Sequence, residues 1–294
     1  LRSSRSISAR LEATGARVTV VPQPNAHLKG TGQLDSLATY RKVIEDAQRD
    51  AGSQQDPRRE DATAVTGPLS SAFEATYDEL LREMSKHADA LPDQVCLHWP
   101  MHEPSYAGRL LVVGHALNGW GHVCAPADFA EAEVRARQLA ATRRSSEKEG
   151  AFGWMRRQVW SRPFWKLARV AMDETLLRLD EIAWSNLAKL SPAEGKNPWG
   201  ELLWRQHRLG GEMLRTEVAE LDPETVLVVS GRGYAAPFVS GAGLTPSWNR
   251  RGALQFDGLL GGRRWIIVSH PGTFAHRYEA SRGALLEALS RTAT

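Results

Sequence analysis

Four short segments constrain this chain more than anything else in it. They are "RLLVV" (109–113), "IAWSNL" (182–187), "TVLVVS" (225–230) and "RWIIVS" (264–269). Each is almost continuously apolar and rich in β-branched residues. A half-exposed strand alternates apolar with polar residues, so a strand without that alternation has both faces covered. The segments between them carry a helical period. Leu202, Leu203, Gln206, Leu209, Met213, Val218 and Leu221 form one stripe, and Pro223 follows its end. "SRPFWKLARV" opens another helix, with Ser161 or Arg162 before it and Pro163 in its first turn. "YEASRGALLEAL" gives a last helix. Strands that alternate with helices in this way predict an α/β fold with a parallel sheet.

The rest of the chain is less patterned. Residues 1–70 are expected to be an N-terminal extension, partly disordered or linker, with residues 71–294 as the α/β domain. Within the extension, "VTVVPQPN" (Val18–Asn25) suits a short strand. "AGSQQDPRREDATAVTGP" (Ala51–Pro68) is polar and full of turn formers, as a linker or mobile loop would be. A helix is expected next, with Phe73, Tyr77, Leu80, Leu81 and Met84 at helical spacing. No internal repeat is visible.

Composition narrows the function classes. At 294 residues, 42% hydrophobic and 24% charged, the chain suits a soluble globular protein of one or two domains. It contains no run of about eighteen apolar residues, so no transmembrane helix and no membrane partner are expected. The opening "LRSSRSISAR" lacks the apolar core of a secretory signal, and the missing initial Met suggests a fragment or a mis-set start. With only Cys96 and Cys124, a disulfide scaffold or a four-cysteine metal or iron–sulfur site is excluded. A cytoplasmic setting is therefore expected. The net charge of +3 and pI near 9.0 permit a nucleic-acid partner without requiring one.

Each apolar run ends in a polar loop: "GHALNGWGH", "SNLAKLSP", "SGRGY" and "SHPGTFAHR". Open parallel sheets bind ligands beyond the carboxyl ends of their strands. Gly114, His115, Asn118, Asn186, Lys189, Arg232, His270 and Thr273 are thus expected to converge on one site. Asn, Gly and Ser also favour plain turns, so a single such loop is equally well a turn. Four at one sheet edge argue for a site. There is no phosphate loop, dinucleotide fingerprint, nucleophile elbow or metal-ligand spacing. No cofactor and no metal are expected.

These loops resemble the uracil-DNA glycosylase superfamily. "VSHPGTFAHR" is similar to that superfamily's second signature, a strand ending in His-Pro-Ser before a DNA-inserting loop. "WSNLAKLSP" resembles the strand that carries the base-recognising Asn, with Lys three residues later as in the thermostable branch. "EVAELDPETVLVVSG" is similar to the helix-Pro-strand-Gly segment before the last strand. "LLVVGHALNGW" sits where the first signature belongs. The resemblance covers about residues 95–294, and its weight lies in the order and spacing of four segments. It implies a three-layer α/β/α sandwich with a central four-stranded parallel sheet. It also implies hydrolysis of the bond between a base and its deoxyribose, with DNA as partner and the protein acting as a monomer.

By the same resemblance, His270 donates to the base carbonyl and Asn186 bonds the Watson–Crick edge of the base. Gly114 closes the first signature strand. Gly272 replaces a serine, Thr273 holds a phosphate, and Phe274 is the apolar wedge. Lys189, Arg232 and Arg277 are the further DNA contacts. A flipped base also needs an aromatic platform, for which Phe152, Trp154, Phe164 and Trp165 are candidates, with core packing the alternative for the last two. Arg156, Arg157, Arg162 and Arg169 interleave with these aromatics and suit either a phosphate track or a solvated helix face.

The chain departs from the family pattern at Ala116, where a water-positioning Asp, Glu or Asn is expected. Asn118 and His115 are the candidates to replace it. The cluster cysteines of the thermostable branch are absent as well. Asn118 also stands where the uracil-specific branch has an aromatic residue that rejects 5-substituted bases. The expected substrate is therefore a damaged or modified base, leaving an abasic site. One alternative is a defence enzyme acting on hypermodified cytosine of phage DNA. Another is an inactive nucleic-acid-binding relative, and a third is an unrelated α/β hydrolase.

Overall fold

The computed structural model describes residues 7–10, 17–20, 71–116, 121–148, 162–249, 252–272 and 275–291. They fall into two compact units, Leu1–Thr63 and Ala64–Thr294. In the first, β1 (Ile7–Arg10) and β2 (Arg17–Val20) pair as an antiparallel ladder. The strand expected from Val18 thus overlaps β2 at Val18–Val20, and its remainder lies outside the described residues. So does the expected linker at 51–68.

The second unit is built on a mixed sheet. Its strands are β4 (Met101–His102), β5 (Leu110–Gly114), β7 (Ile182–Asn186), β9 (Thr225–Ser230), β10 (Leu254–Leu260) and β11 (Arg263–Ser269). Their spatial order is β10-β11-β9-β5-β7-β4. The four apolar runs form the parallel centre, β11-β9-β5-β7. The expected four-stranded sheet is therefore a six-stranded one. The two additions are antiparallel edge strands, β10 against β11 and β4 against β7.

Burial explains why the central runs lack alternation. Leu110, Val112, Ile182, Trp184, Leu227, Val229, Ile266 and Val268 point to one face. There they meet α3 (Pro163–Thr175) and α7 (Ala275–Ser290) through Trp165, Leu167, Ala171, Leu285 and Ala288. Leu111, Val113, Ala183, Val226, Val228, Trp265 and Ile267 point to the other. That face is covered by α5 (Gln206–Leu221) and α6 (Arg232–Gly241) through Leu214, Leu221, Ala235, Phe238 and Val239. With both faces covered, apolar residues fill both parities of the strands, and the few polar ones, such as Ser185, are buried and hydrogen-bonded.

A smaller antiparallel sheet flanks this assembly. It consists of β6 (His122–Cys124), β3 (Val95–Leu97) and β8 (Leu190–Pro192), in that order. Helix α1 (Ser71–Ser85) packs beside it, burying Phe73, Tyr77, Leu80, Leu81 and Met84 with Trp99 and Phe129. Those five positions are the ones that predicted the helix. Helix α2 (Ala132–Lys148) follows β6. The long amphipathic stripe from 202 to 221 divides into α4 (Gly200–Trp204) and α5. At the break stands Gln206, fully buried, whose carboxamide bonds Leu190 N–H, Leu190 O and Leu202 O. That clamp ties α5 to β8.

Candidate active site

The carboxyl ends of the four parallel strands lie side by side. Reading across the sheet, they place His270 after β11, Ser230 at the end of β9, Gly114 and His115 at the end of β5, and Asn186 at the end of β7. Gly114 and Asn186 are register partners. Their closeness depends on glycine: a Cβ at 114 would lie 2.5 Å from Asn186 Oδ1 and 3.2 Å from Phe164 Cε2. The Asn186 carboxamide therefore lies across bare backbone, beside the ring edge of Phe164.

Asn186 is 2% exposed, and its Nδ2 has no hydrogen-bond partner among the described residues. A buried donor left unpaired costs about 1–3 kcal/mol. Its neighbourhood is otherwise well bonded. Leu187 N–H donates to Gly114 O at 2.9 Å and Ala188 N–H to His115 O at 3.0 Å, which extend the β5–β7 pairing past Asn186.

The histidines form a stack. The His115 ring lies between Tyr234, at 4.3 Å, and His270, at 4.5 Å, with the two imidazoles only 15° from parallel. His115 Nε2 is 2.7 Å from the Ser230 carbonyl. A carbonyl only accepts, so Nε2 carries the proton and Nδ1 is the lone pair in the neutral ring. His270 is the same tautomer, but it turns its other nitrogen to the backbone. Its Nδ1 accepts the Gly272 N–H at 3.1 Å, which leaves Nε2–H as its free donor. Burial, with His115 beside it, pushes the His270 pKa down to about 4. Burial also lowers that of His115, against the Ser230 bond. Both rings are neutral at pH 7, as face-to-face stacking requires. Two imidazolium rings in this arrangement would repel.

The basic groups of the rim follow. Arg232, exposed at the start of α6, sits over the Trp248 ring at 5.8 Å. Arg277 is exposed in the first turn of α7 and lies against Gly272, whose φ of 59° puts it in the left-handed region. Arg162 and Lys166 are exposed at the start of α3, beside Phe164.

Two expected roles are corrected. Lys189 is not a surface cation for DNA: it is fully buried, and its Nζ lies 2.5 Å from Glu217 Oε1 on α5. Its ammonium is taken up by Ser185 Oγ, the Asn186 carbonyl and Glu217. Trp165 is not a platform for a base. It is 3% exposed and packs edge-on against Trp184 at 5.0 Å, within the core under α3. Its neighbour Phe164 is half-buried and reaches Gly114. Successive helical residues point about 100° apart, so the two rings of the "FW" pair part company. Ala116 packs against the apolar layer under α6 and offers no polar group. Asn118, Phe152, Trp154, Arg156, Arg157, Thr273 and Phe274 lie outside the described residues.

Sequence reasoning did not single out Tyr234, Ser230 or Glu217. Tyr234 was visible as the end of "SGRGY", a position one turn into a helix at the sheet edge. Glu217 carried no signal, since a Glu on an amphipathic helix reads as solvated. Among the described residues no group of three or more His, Cys, Asp or Glu is placed to hold a metal ion. No helix among them is long and apolar enough to cross a membrane. Compared with known proteins, the chain matches no protein-family model, and no curated protein matches it in sequence.

Proposed function

We infer that the protein is a DNA glycosylase that receives an extruded, damaged or modified base at the carboxyl edge of its parallel sheet. It hydrolyses the N-glycosidic bond there. The observation that carries this reading is the pairing of two fixed donors: the unpartnered Asn186 Nδ2 and the free Nε2–H of neutral His270.

The chemistry follows from those donors. As the C1′–N bond breaks, its electron pair moves onto the base and positive charge develops on the sugar. Water adds its oxygen to C1′, and its proton ends on the departing base. A neutral imidazole N–H aimed at the base carbonyl stabilises the developing anion without giving up its proton. One such donor is typically worth about 10²- to 10³-fold in kcat. The Asn186 carboxamide offers both a donor and an acceptor, the combination a base edge requires. Phe164 supplies an aromatic edge next to it, and Arg232, Arg277, Arg162 and Lys166 supply cations for flanking phosphates.

Ala116 favours a second reading, a DNA-binding relative without turnover, because its methyl group packs on the apolar layer and offers an attacking water no hydrogen bond. His270→Ala separates the two. Duplexes carrying single uracil, hypoxanthine or 5-modified cytosine, treated with protein and then alkali, report excision as strand scission. The glycosylase reading expects scission on at least one duplex, lost with His270→Ala. Binding without scission on every duplex supports the binding relative.

A further inference from the structure

We propose that Lys189 is a positioning residue, whose ammonium, locked by Glu217 and Ser185, grips the backbone carbonyl of Asn186 and so sets the Asn186 carboxamide at the sheet edge. Lys189 Nζ lies 2.6 Å from Asn186 O, 2.8 Å from Ser185 Oγ and 2.5 Å from Glu217 Oε1. Ser185 Oγ in turn donates to Glu217 Oε2 at 2.8 Å. The ammonium thus donates two hydrogen bonds and forms an ion pair with the carboxylate. All three side chains are fully buried.

This network is not explained by stability. Burying both charges is opposed by desolvation, and apolar replacement of such a pair is often neutral or stabilising. What the pair does supply is direction. An apolar side chain at 189 fills space but has no hold on a carbonyl, whereas the ammonium fixes Asn186 O from below the sheet. The residues beyond are fixed as well. Tyr77 Oη donates to Lys189 O at 3.2 Å, His98 N–H donates to the same carbonyl at 2.8 Å, and Gln206 clamps Leu190 on both its backbone groups. Asn186 is therefore held by Lys189 and by the β5–β7 pairing, and Gly114 leaves the room its carboxamide occupies. Its Nδ2 is left as a buried donor without a partner among the described residues. The work of Lys189 is to keep that one donor still.

That Asn186 meets a base rests on the function proposed above; that Lys189 holds it does not, and the test separates the two. The variant is the paired exchange Lys189→Met with Glu217→Leu, which removes both charges at similar volume. Ser185→Ala is the milder variant, which keeps the ion pair. Two readouts need no ligand: the Asn186 carboxamide resonances by NMR, and hydrogen exchange of the Leu187 and Ala188 amides. The expected result is a paired variant of unchanged or higher melting temperature, with Asn186 carboxamide resonances moved toward those of a mobile side chain. Exchange of the two amides rises about tenfold, the cost of one charge-assisted hydrogen bond. Excision kcat/KM falls at least as far. Ser185→Ala shows the same changes at smaller size. Unmoved Asn186 resonances with unchanged exchange in a folded variant overturn the proposal, whatever the activity. Moved resonances in a protein that excises no base leave the positioning role standing and remove the glycosylase reading.

Discussion

Two residues at the sheet edge make sharp predictions because their chemistry leaves little freedom. Gly114→Ala adds one methyl group, 2.5 Å from Asn186 Oδ1 and 3.2 Å from Phe164. Strand backbone tolerates alanine, so the cost to stability is that of modest overpacking, about 1–3 kcal/mol. The cost to function is larger, since the carboxamide must swing away. Excision and affinity for DNA containing the cognate base are expected to fall more than thermal stability does. His270 sets the pH dependence. With its pKa at about 4, it is neutral well below the ordinary imidazole value of 6.5. If it donates as the neutral ring, the rate shows no break near 6.5 and falls only as pH nears 4. The sign for stability runs the same way. The unfolded chain takes up this proton from about 6.5 downward and the folded chain only near 4. Stability present above 6.5 is thus lost progressively between those values. In His270→Gln the decline of melting temperature over that window is expected to be shallower.

Among the elements, α3 offers the cleanest separation of structure from function, because Phe164 and Trp165 are neighbours with different surroundings. Trp165→Ala empties a core position between α3 and the sheet and is expected to cost about 3–5 kcal/mol. Phe164→Ala, at a half-buried position facing Gly114, is expected to cost less stability and to weaken base-dependent binding instead. Calorimetry and DNA binding on the two variants check this crossing of effects. The same pair shows what the sequence could and could not reveal. The four central strands were legible because both faces are buried and the signal fills every position. The two flanking helices were legible through their periodicity. Strand β10 was not, because Gln255 and Asp257 interrupt its apolar run, Asp257 being paired with Arg264. Its turn was nonetheless written in the chain: Gly261 and Gly262, with φ of 58° and 79°, are the Gly-Gly of a two-residue hairpin. At the site, Asn186, His115, His270 and Gly114 were legible as strand-end residues. The place of Lys189 was hidden, since lysine and glutamate belong at the surface by type and only the packing of α5 on β7 brings this pair together.

For the molecule as a whole, the exposed Arg162, Lys166, Arg232 and Arg277 surround the edge at which the parallel strands end. Their chemistry predicts binding governed by counterion release. Affinity for DNA is expected to fall steeply and linearly with the logarithm of salt concentration. Arg232→Ala or Arg277→Ala is expected to reduce that slope by about one unit each, with little effect on which base is chosen. The central claim is that an extruded base is cut from its sugar between Asn186 and His270, and it is tested most directly by identifying what leaves the DNA. Mass spectrometry of the small molecules released from DNA of varied base modification should find a free base, in equal amount to the abasic sites formed. His270→Ala and Asn186→Ala should each reduce the release by about 10²-fold or more. Release of a nucleotide or nucleoside in place of the free base, or no release from any of the DNAs, would contradict the account.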